Sequence, residues 1–362
     1  MKVITFGEIM ARLAPEGFLR FNQAMPGKLN IMFSGAEANV AVSIAQLGGQ
    51  CFFVTTLPGN AIGDACLSNL KSLGVSTEYI VRSDSGRLGL YFVEMGANQR
   101  PSKVVYDREY SAVSLTTSDQ YDWENIFKNA TWFHTTGITP SLSQTAAGTT
   151  LDAVKKAKDA GVRVSCDLNF RKKLWRWDKG YTPRELAEKT MRQILPFVDV
   201  VIANEEDAAD VLGIQAENSD VSSGKLAIDK YPQVAKEVVN QFDNISMVAI
   251  TLRESISASH NNWGAMLYEA ASDHVNFAPL DSDRFSPYQI RNIVDRVGGG
   301  DAFGAGLIYA LQTPELSEPK TAVSFATAAS CLAHSILGDF NFSSRTEVEA
   351  LMKGSGSGRV VR

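Results

Sequence analysis

Cysteine is scarce in this chain of 362 residues: Cys51, Cys66, Cys166 and Cys331 stand far apart and form no C-x-x-C pair. That excludes a disulfide scaffold and a clustered zinc site, and it predicts free thiols in a reducing compartment. No apolar run reaches about 18 residues, so no membrane-spanning helix is expected. The N-terminus, Met1-Lys2-Val3-Ile4-Thr5-Phe6, lacks the pattern of a signal peptide and reads straight into a strand, so a cytoplasmic location is expected. Basic charge is not in excess. The formal net charge is −5, which argues against nucleic acid as the main partner, because polyanion binding needs a basic footprint. Trp175 and Trp177 lie beside a basic run too short to reverse that conclusion. His134, His260, His274 and His334 show no metal spacing, and His134 reads as a packed strand residue. There are no internal repeats. The phosphate-loop pattern G-x-x-x-x-G-K-[ST] is absent, which excludes that route to nucleotide binding.

What is present is an ordinary globular composition, 44% hydrophobic and 21% charged, long enough to bury a large core without staples. Apolar strands are expected at residues 2–8, 51–57, 132–138, 162–169, 199–203 and 247–252. Helical patterns follow at 36–47, 62–73, 144–160, 185–195, 205–212, 234–242, 301–311, 321–337 and 346–352. This alternation predicts an α/β fold with parallel strands and crossover helices, whose ligand crevice lies at the carboxyl ends of the strands. Two stretches break the rhythm. Residues 9–34 carry Pro15, Gly17, Pro26 and Gly27 and are too long for a plain connection, so small strands are expected there. Residues 88–95 and 103–109 read as a hairpin around Gly96, Asn98 and Pro101. Together, segments 9–34 and 84–111 are expected to form a small sheet over a site, within one domain of residues 1–352. Residues 263–269 and 274–278 read as an antiparallel pair, 215–229 as a polar loop and 353–362 as a flexible tail.

The chemistry centres on Asp295-Arg-Val-Gly298-Gly299-Gly300-Asp301-Ala-Phe-Gly. Glycine amides at the mouth of a helix make an anion pocket, and the helix dipole adds positive potential. Phosphoryl transfer needs donors for phosphate oxygens and a group to take a hydroxyl proton. Gly298, Gly299 and Gly300 supply the first and Asp301 the second, with no strong pKa shift required. The same residues also fit a glycine-rich turn with Asp301 as an ordinary first-turn acid. This is not a dinucleotide fingerprint, since it stands near the C-terminus with no βαβ unit after it.

The stretch from Asp295 to Phe303 resembles the D-T-x-G-A-G-D-A-F signature of the PfkB, or ribokinase-like, family of carbohydrate kinases. Ser34-Gly35-Ala-Glu-Ala-Asn39-Val-Ala resembles the N-terminal G-G-x-x-x-N-x-A signature of the same family. The order is the family's, and the resemblance runs to about residue 352. It implies a ribokinase-like three-layer α/β/α sandwich with a small β-sheet lid, and transfer of the ATP γ-phosphate with ATP and Mg2+ bound. By the same resemblance Asp301 is the catalytic base, Gly298 to Gly300 are the anion hole, and Gly35 and Asn39 stand at the sugar. Phe133-His-Thr-Thr-Gly-Ile-Thr-Pro140, Asp167-Leu-Asn169-Phe-Arg171 and Tyr106-Asp-Arg108 are similar to the branch that phosphorylates 2-keto-3-deoxygluconate. A sugar acid carries a carboxylate, which arginine grips with two parallel hydrogen bonds. Arg108 and Arg171 are therefore expected to converge on it, with Tyr91, Tyr106 and Asn169 around the sugar.

Asn204-Glu205-Glu206-Asp207 loosely matches the family's N-x-x-E. Acids at a strand end suit Mg2+ held through water, so Glu205 and Asp207 are both metal candidates. The stretch also reads as a capped helix start, which does not exclude that role. Thr251-Leu-Arg253-Glu-Ser departs from the glycine-bearing segment that lines the nucleotide in many members; Thr251 and Arg253 are nucleotide candidates by position, with Asn204. Gly338-Asp339 replaces a common Gly-Ala, and Asp339 reads either as a partner of a substrate hydroxyl or as part of a capping turn. A kinase of a neutral sugar such as fructose or ribose is the nearest rival. A sugar-binding sensor without chemistry is the rival of another class. A lid sheet exposed on two sides also invites pairing between copies of the chain.

Overall fold

A computed structural model describes residues 1–204, 206–214 and 228–354. Most of the polar loop expected at 215–229, the tail from 355 and the metal candidate Glu205 lie outside the described residues. The main sheet has the order β13-β12-β11-β10-β9-β8-β1-β4-β5. Its strands are β1 (Val3–Phe6), β4 (Cys51–Pro58), β5 (Ile80–Ser83), β8 (Trp132–Thr136), β9 (Arg163–Asp167), β10 (Val200–Ala203), β11 (Met247–Ser257), β12 (His260–Glu269) and β13 (His274–Ala278). All neighbours from β5 to β11 pair in parallel, while β12 and β13 add an antiparallel edge. A short strand, Tyr288–Ile290, pairs with the start of β12.

The parallel strands are mostly buried on both faces because helices cover each side of the sheet. On β4, Phe52 and Val54 join the core on one side, and Cys51 and Phe53 join the core on the other. The first core is closed by α5 (Trp123–Phe127), α6 (Gln144–Asp159), α7 (Pro183–Ile194), α8 (Asp207–Leu212) and α9 (Tyr231–Gln241). The second is closed by α2 (Ala36–Gln46), α3 (Ala61–Ser72), α10 (Gly299–Leu311), α11 (Pro319–Ala333) and α12 (Arg345–Met352). This is the expected three-layer sandwich. All four cysteines are free, and burial pushes the Cys66 and Cys331 thiols up to about 12. Among the described residues no helix is long and apolar enough to cross a membrane.

A separate four-stranded sheet has the order β3-β2-β6-β7. It is built from β2 (Met10–Ala14), β3 (Asn30–Ser34), β6 (Gly89–Glu94) and β7 (Lys103–Asp107), with a helical turn, α1 (Phe21–Ala24), between the first two. Both irregular stretches of the sequence thus end in one lid. Register puts Arg12 opposite Met32 and Tyr91, and Tyr91 opposite Tyr106, so these side chains share one face. Helix α4 (Ala112–Leu115) follows the lid on the way back to the sandwich.

Two boundaries differ most from the sequence pattern. Helix α11 stops at Ala333 instead of running to residue 337, because Ser335 and Ile336 turn back onto the carbonyls of Leu332 and Ala333. Strand β11 continues well past Leu252, because its pairing with β12 carries the polar residues 253–257. Helix α10 is buried nearly all round, and its Phe303 is fully enclosed. Phe303→Ala is expected to cost ~3–5 kcal/mol through lost burial and a residual cavity. Urea unfolding checks this; a change under about 1 kcal/mol would mean that α10 is not held by its core face.

Candidate functional site

The carboxyl ends of β9, β10 and β11, the N-terminus of α10 and the inner face of the lid enclose a cavity of about 330 Å³. Its floor is the start of α10. Gly298 caps this helix at φ +85°, and a Cβ there would stand 2.2 Å from the carbonyl oxygen of Asp339, so only glycine fits. Gly298, Gly300 and Asp301 line the cavity. Gly299 does not; it is buried behind the turn, where a Cβ would meet the His334 ring at 2.8 Å. Replacing the usual alanine at 299 therefore makes room for His334.

Asn39, in the first turns of α2, donates through Nδ2 to Asp301 Oδ2 at 2.6 Å and accepts from the Gly35 amide at 3.2 Å. The two glycine-bearing signatures, near opposite ends of the chain, meet in this one hydrogen bond. Burial pushes the Asp301 carboxyl up to about 6, with Asp339 adding to the rise and Asn39 and Arg171 opposing it. The ordinary carboxylate pKa expected from sequence is thus replaced by one poised nearer neutrality.

On the lid side, Gly35, Tyr91, Tyr106 and Arg108 line the cavity, joined from the end of β9 by Asn169 and Arg171. Gly35 allows the close approach expected of it, since a Cβ would lie 2.0 Å from the carbonyl oxygen of Glu8. Arg108 carries a partner that sequence did not foresee: its Nε donates to buried Glu8 Oε2 at 2.6 Å, and a terminal nitrogen reaches the same oxygen. Arg171 donates to the Phe170 carbonyl at 3.0 Å and draws down the pKa values of Asp167, Asp207 and Asp301. Asp339 also lines the cavity, but its oxygens are taken. Oδ1 accepts from Arg12, and Oδ2 accepts from Ser34 and from the Tyr91 hydroxyl at 2.5 Å.

The cavity is also lined by Asn204, Asp207, Thr251 and Arg253, with Arg296 and His334. Asn204 Oδ1 accepts from the amides of Glu206 and Asp207, and the Asp207 carboxylate accepts from those of Phe170 and Asn204, both at 3.0 Å. Asp207 thus ties the end of β9 to that of β10. Among the described residues no group of three or more His, Cys, Asp or Glu forms a metal cage. Asp167 and Asp207 face one another and are both held above the usual carboxylate range, by burial first and mutual repulsion next for Asp167. A water-clad divalent cation that also carries phosphate oxygens suits such a donor set. Arg296 donates to the carbonyls of Ser257 and Ala258, and its pKa is lowered by burial and by Arg253. Burial brings His334 down to about 4, so it is neutral against the glycine turn.

Sequence reasoning passed over Arg12, Asp167, Arg296 and His334. Asp167 had a signal, an acid at a strand end two residues before Asn169. Arg12 had one too: it is the lone charge in β2, at the inward phase of the strand. Burial opposes its charge, but Asp339 and Asp295 outweigh that, and its pKa lies above the ordinary arginine value.

The model of the family described as pfkB family carbohydrate kinase matches residues 2–254. A 2-dehydro-3-deoxygalactonokinase from Haloferax volcanii is 30% identical over 357 residues, 99% of this chain and 98% of that protein. The crystal structure of 2-dehydro-3-deoxygluconokinase from Thermotoga maritima superposes with a TM-score of 0.87 at 45% identity, covering 98% of this chain and 100% of that one. A fructokinase from Escherichia coli is 27% identical over 318 residues, 87% of this chain and 86% of that protein.

As a base, Asp301 works only when ionised. Turnover per free enzyme is therefore expected to fall as pH drops through about 6. The Asn39 bond favours the charged carboxylate, so Asn39→Leu should move this acid limb to higher pH. A pH profile of kcat/KM for both proteins checks this, and identical limbs would separate Asn39 from the ionisation of Asp301.

Proposed function

This chain belongs to the pfkB family of carbohydrate kinases, and we propose that it uses ATP to phosphorylate 2-keto-3-deoxy-D-gluconate, also called 2-dehydro-3-deoxy-D-gluconate, at its terminal hydroxyl. The product is 2-keto-3-deoxy-6-phosphogluconate. The observation that carries this reading is Arg171, just past the end of β9, on the wall of the cavity that the lid residues Tyr106 and Arg108 also line. A guanidinium grips a carboxylate with two charge-assisted hydrogen bonds, more strongly than it bonds the hydroxyls of a neutral sugar. The likeness to the Thermotoga maritima enzyme supports the same choice.

In this reading Asp301 takes the proton of the attacking hydroxyl, and the amides at Gly298 and Gly300 steady charge on the transferring group. Buried Gly299 completes the turn from behind. ATP supplies the phosphoryl group, with Mg2+ offsetting phosphate charge. Asn204, Thr251, Arg253 and Arg296 stand on the nucleotide side. Asp207, with Asp167 beside it, would hold the metal through water.

A second reading is the galactonate epimer, which differs at C4, favoured by the likeness to the Haloferax volcanii protein over nearly the whole chain. A coupled ADP-release assay with both epimers, fructose and ribose separates the readings. The gluconate form is expected to give the highest kcat/KM. Equal or better turnover of fructose would sink the sugar-acid assignment, and no turnover of any sugar would favour a binding protein without chemistry. Arg171→Ala is expected to raise the sugar-acid KM roughly ten- to hundredfold, the worth of a charged hydrogen-bonded pair, with the ATP KM little changed. If only ATP binding suffers, Arg171 serves the nucleotide instead.

We also propose that the lid pairs two copies of the chain. On its outer face Ile31, Leu13, Phe92 and Val105 lie in one cross-strand row, with Ile31 65% and Val105 54% exposed. Light scattering is expected to give a dimer or a larger assembly that Ile31→Asp weakens. A monomeric mass for the unaltered protein at tens of micromolar would refute the pairing.

A further inference from the structure

Arg12 is among the largest fully buried side chains of the molecule, and its guanidinium bonds two carboxylates from different elements. One terminal nitrogen reaches Asp295 Oδ2 at 2.6 Å and Met95 Sδ at 3.3 Å; the other reaches Asp339 Oδ1. Asp295 stands at the foot of the glycine turn. Its Oδ1 accepts from the Val297 amide at 3.1 Å, and its Oδ2 also accepts from the Gly338 amide at 3.2 Å. Asp339 is where the lid converges, through Ser34 of β3 and Tyr91 of β6. The backbone of Asp339 in turn abuts Gly298, close enough to forbid a Cβ there. A shift of either carboxylate is therefore passed through rigid neighbours to the other.

We propose that Arg12 is a positioning residue that makes closure of the lid and the shape of the Gly298–Gly300 turn a single event. The inference rests on the kinase reading for its consequence, though not for its geometry. A sugar that settles under the lid meets Tyr91, whose hydroxyl is bonded to Asp339. Through Arg12 its arrival fixes Asp295, and Asp295 fixes the turn that faces the phosphate. Arginine suits this because its planar fork places two donors on two acceptors at once, which the point charge of a lysine does not do. An ion pair that merely fastened the lid would need Asp339 alone.

Arg12→Lys keeps the charge and loses the bridge. Its melt is expected to remain a single cooperative transition. Its kcat is expected to fall roughly tenfold or more, as for a misplaced reacting group, and the sugar-acid KM to rise, with the ATP KM changed by less than about threefold. Hydrogen exchange is expected to speed up together in residues 295–300 and in the lid strands. A kcat within about twofold of the unaltered enzyme, or faster exchange confined to the lid, would overturn the proposal. Should Arg12→Lys fail to fold, Asp295→Asn leaves the contact with Asp339 in place. It is expected to lower kcat comparably with a near-normal sugar-acid KM, and an unchanged kcat would overturn the proposal. The exchange measurement needs no turnover, so failure of the substrate panel and failure of this inference remain distinct results.

Discussion

The buried guanidinium of Arg12 between Asp295 and Asp339 is the interaction on which the site depends. Taking three charges out of water costs several kcal/mol for each, and their attraction repays this only with excellent geometry. Replacing such a triad by apolar side chains is often neutral or stabilising, so global stability is a poor reason to keep it. Geometry is a better one. The two cores of the sandwich already hold the sheet and its helices together. The lid has only a small cluster of its own, centred on Met10, Ala14, Tyr91, Val93 and Met95. What that cluster lacks in area, the ion network supplies in direction, by pinning three lid strands to the loop before α10 and the turn after α11.

Much of this was legible in the sequence, for physical reasons that differ by element. The parallel strands are fully buried apolar runs, so residues 51–57 and 199–203 could hardly be anything else. The helices declared themselves by period and by their stops, as at Gly48 and Gly74. The two glycine signatures were readable because close backbone approach and a left-handed φ admit few other residues. The limits were set by contacts between distant parts of the chain. Arg12 gains its meaning only when β2 folds over Asp295 and Asp339, hundreds of residues away. Arg108 was correctly placed at the cavity, yet nothing local showed that Glu8 would hold it. The short helices α4 and α5 were passed over because segments of four or five residues carry no period of their own.

On the proposed reading, the acid-rich floor poses a problem, because the cavity then admits a sugar carboxylate and a nucleotide phosphate together. Asp167, Asp207, Asp301 and Glu37 all sit in or beside the cavity, and burial raises the pKa of each. Glu37 is pushed up to about 7 and Asp301 to about 6, while Asp167 lies well above the carboxylate range. Several of these groups therefore carry less negative charge near neutrality than their number implies. The cations are divided accordingly. Arg171, just past the end of β9, opposes the rise at Asp167, Asp207 and Asp301, and Arg253 and Arg296 crowd together near the glycine turn. Strand β11 runs on through the polar residues 253–257, and Arg296 staples its far end to the approach to α10. Positive charge on this hairpin and on the approach to α10 thus stands on the same side of the cavity as the glycine turn. Asp301 lies in the first turn of the same helix, and on the proposed reading its raised pKa keeps the base titratable where that charge and the helix dipole hold a phosphate.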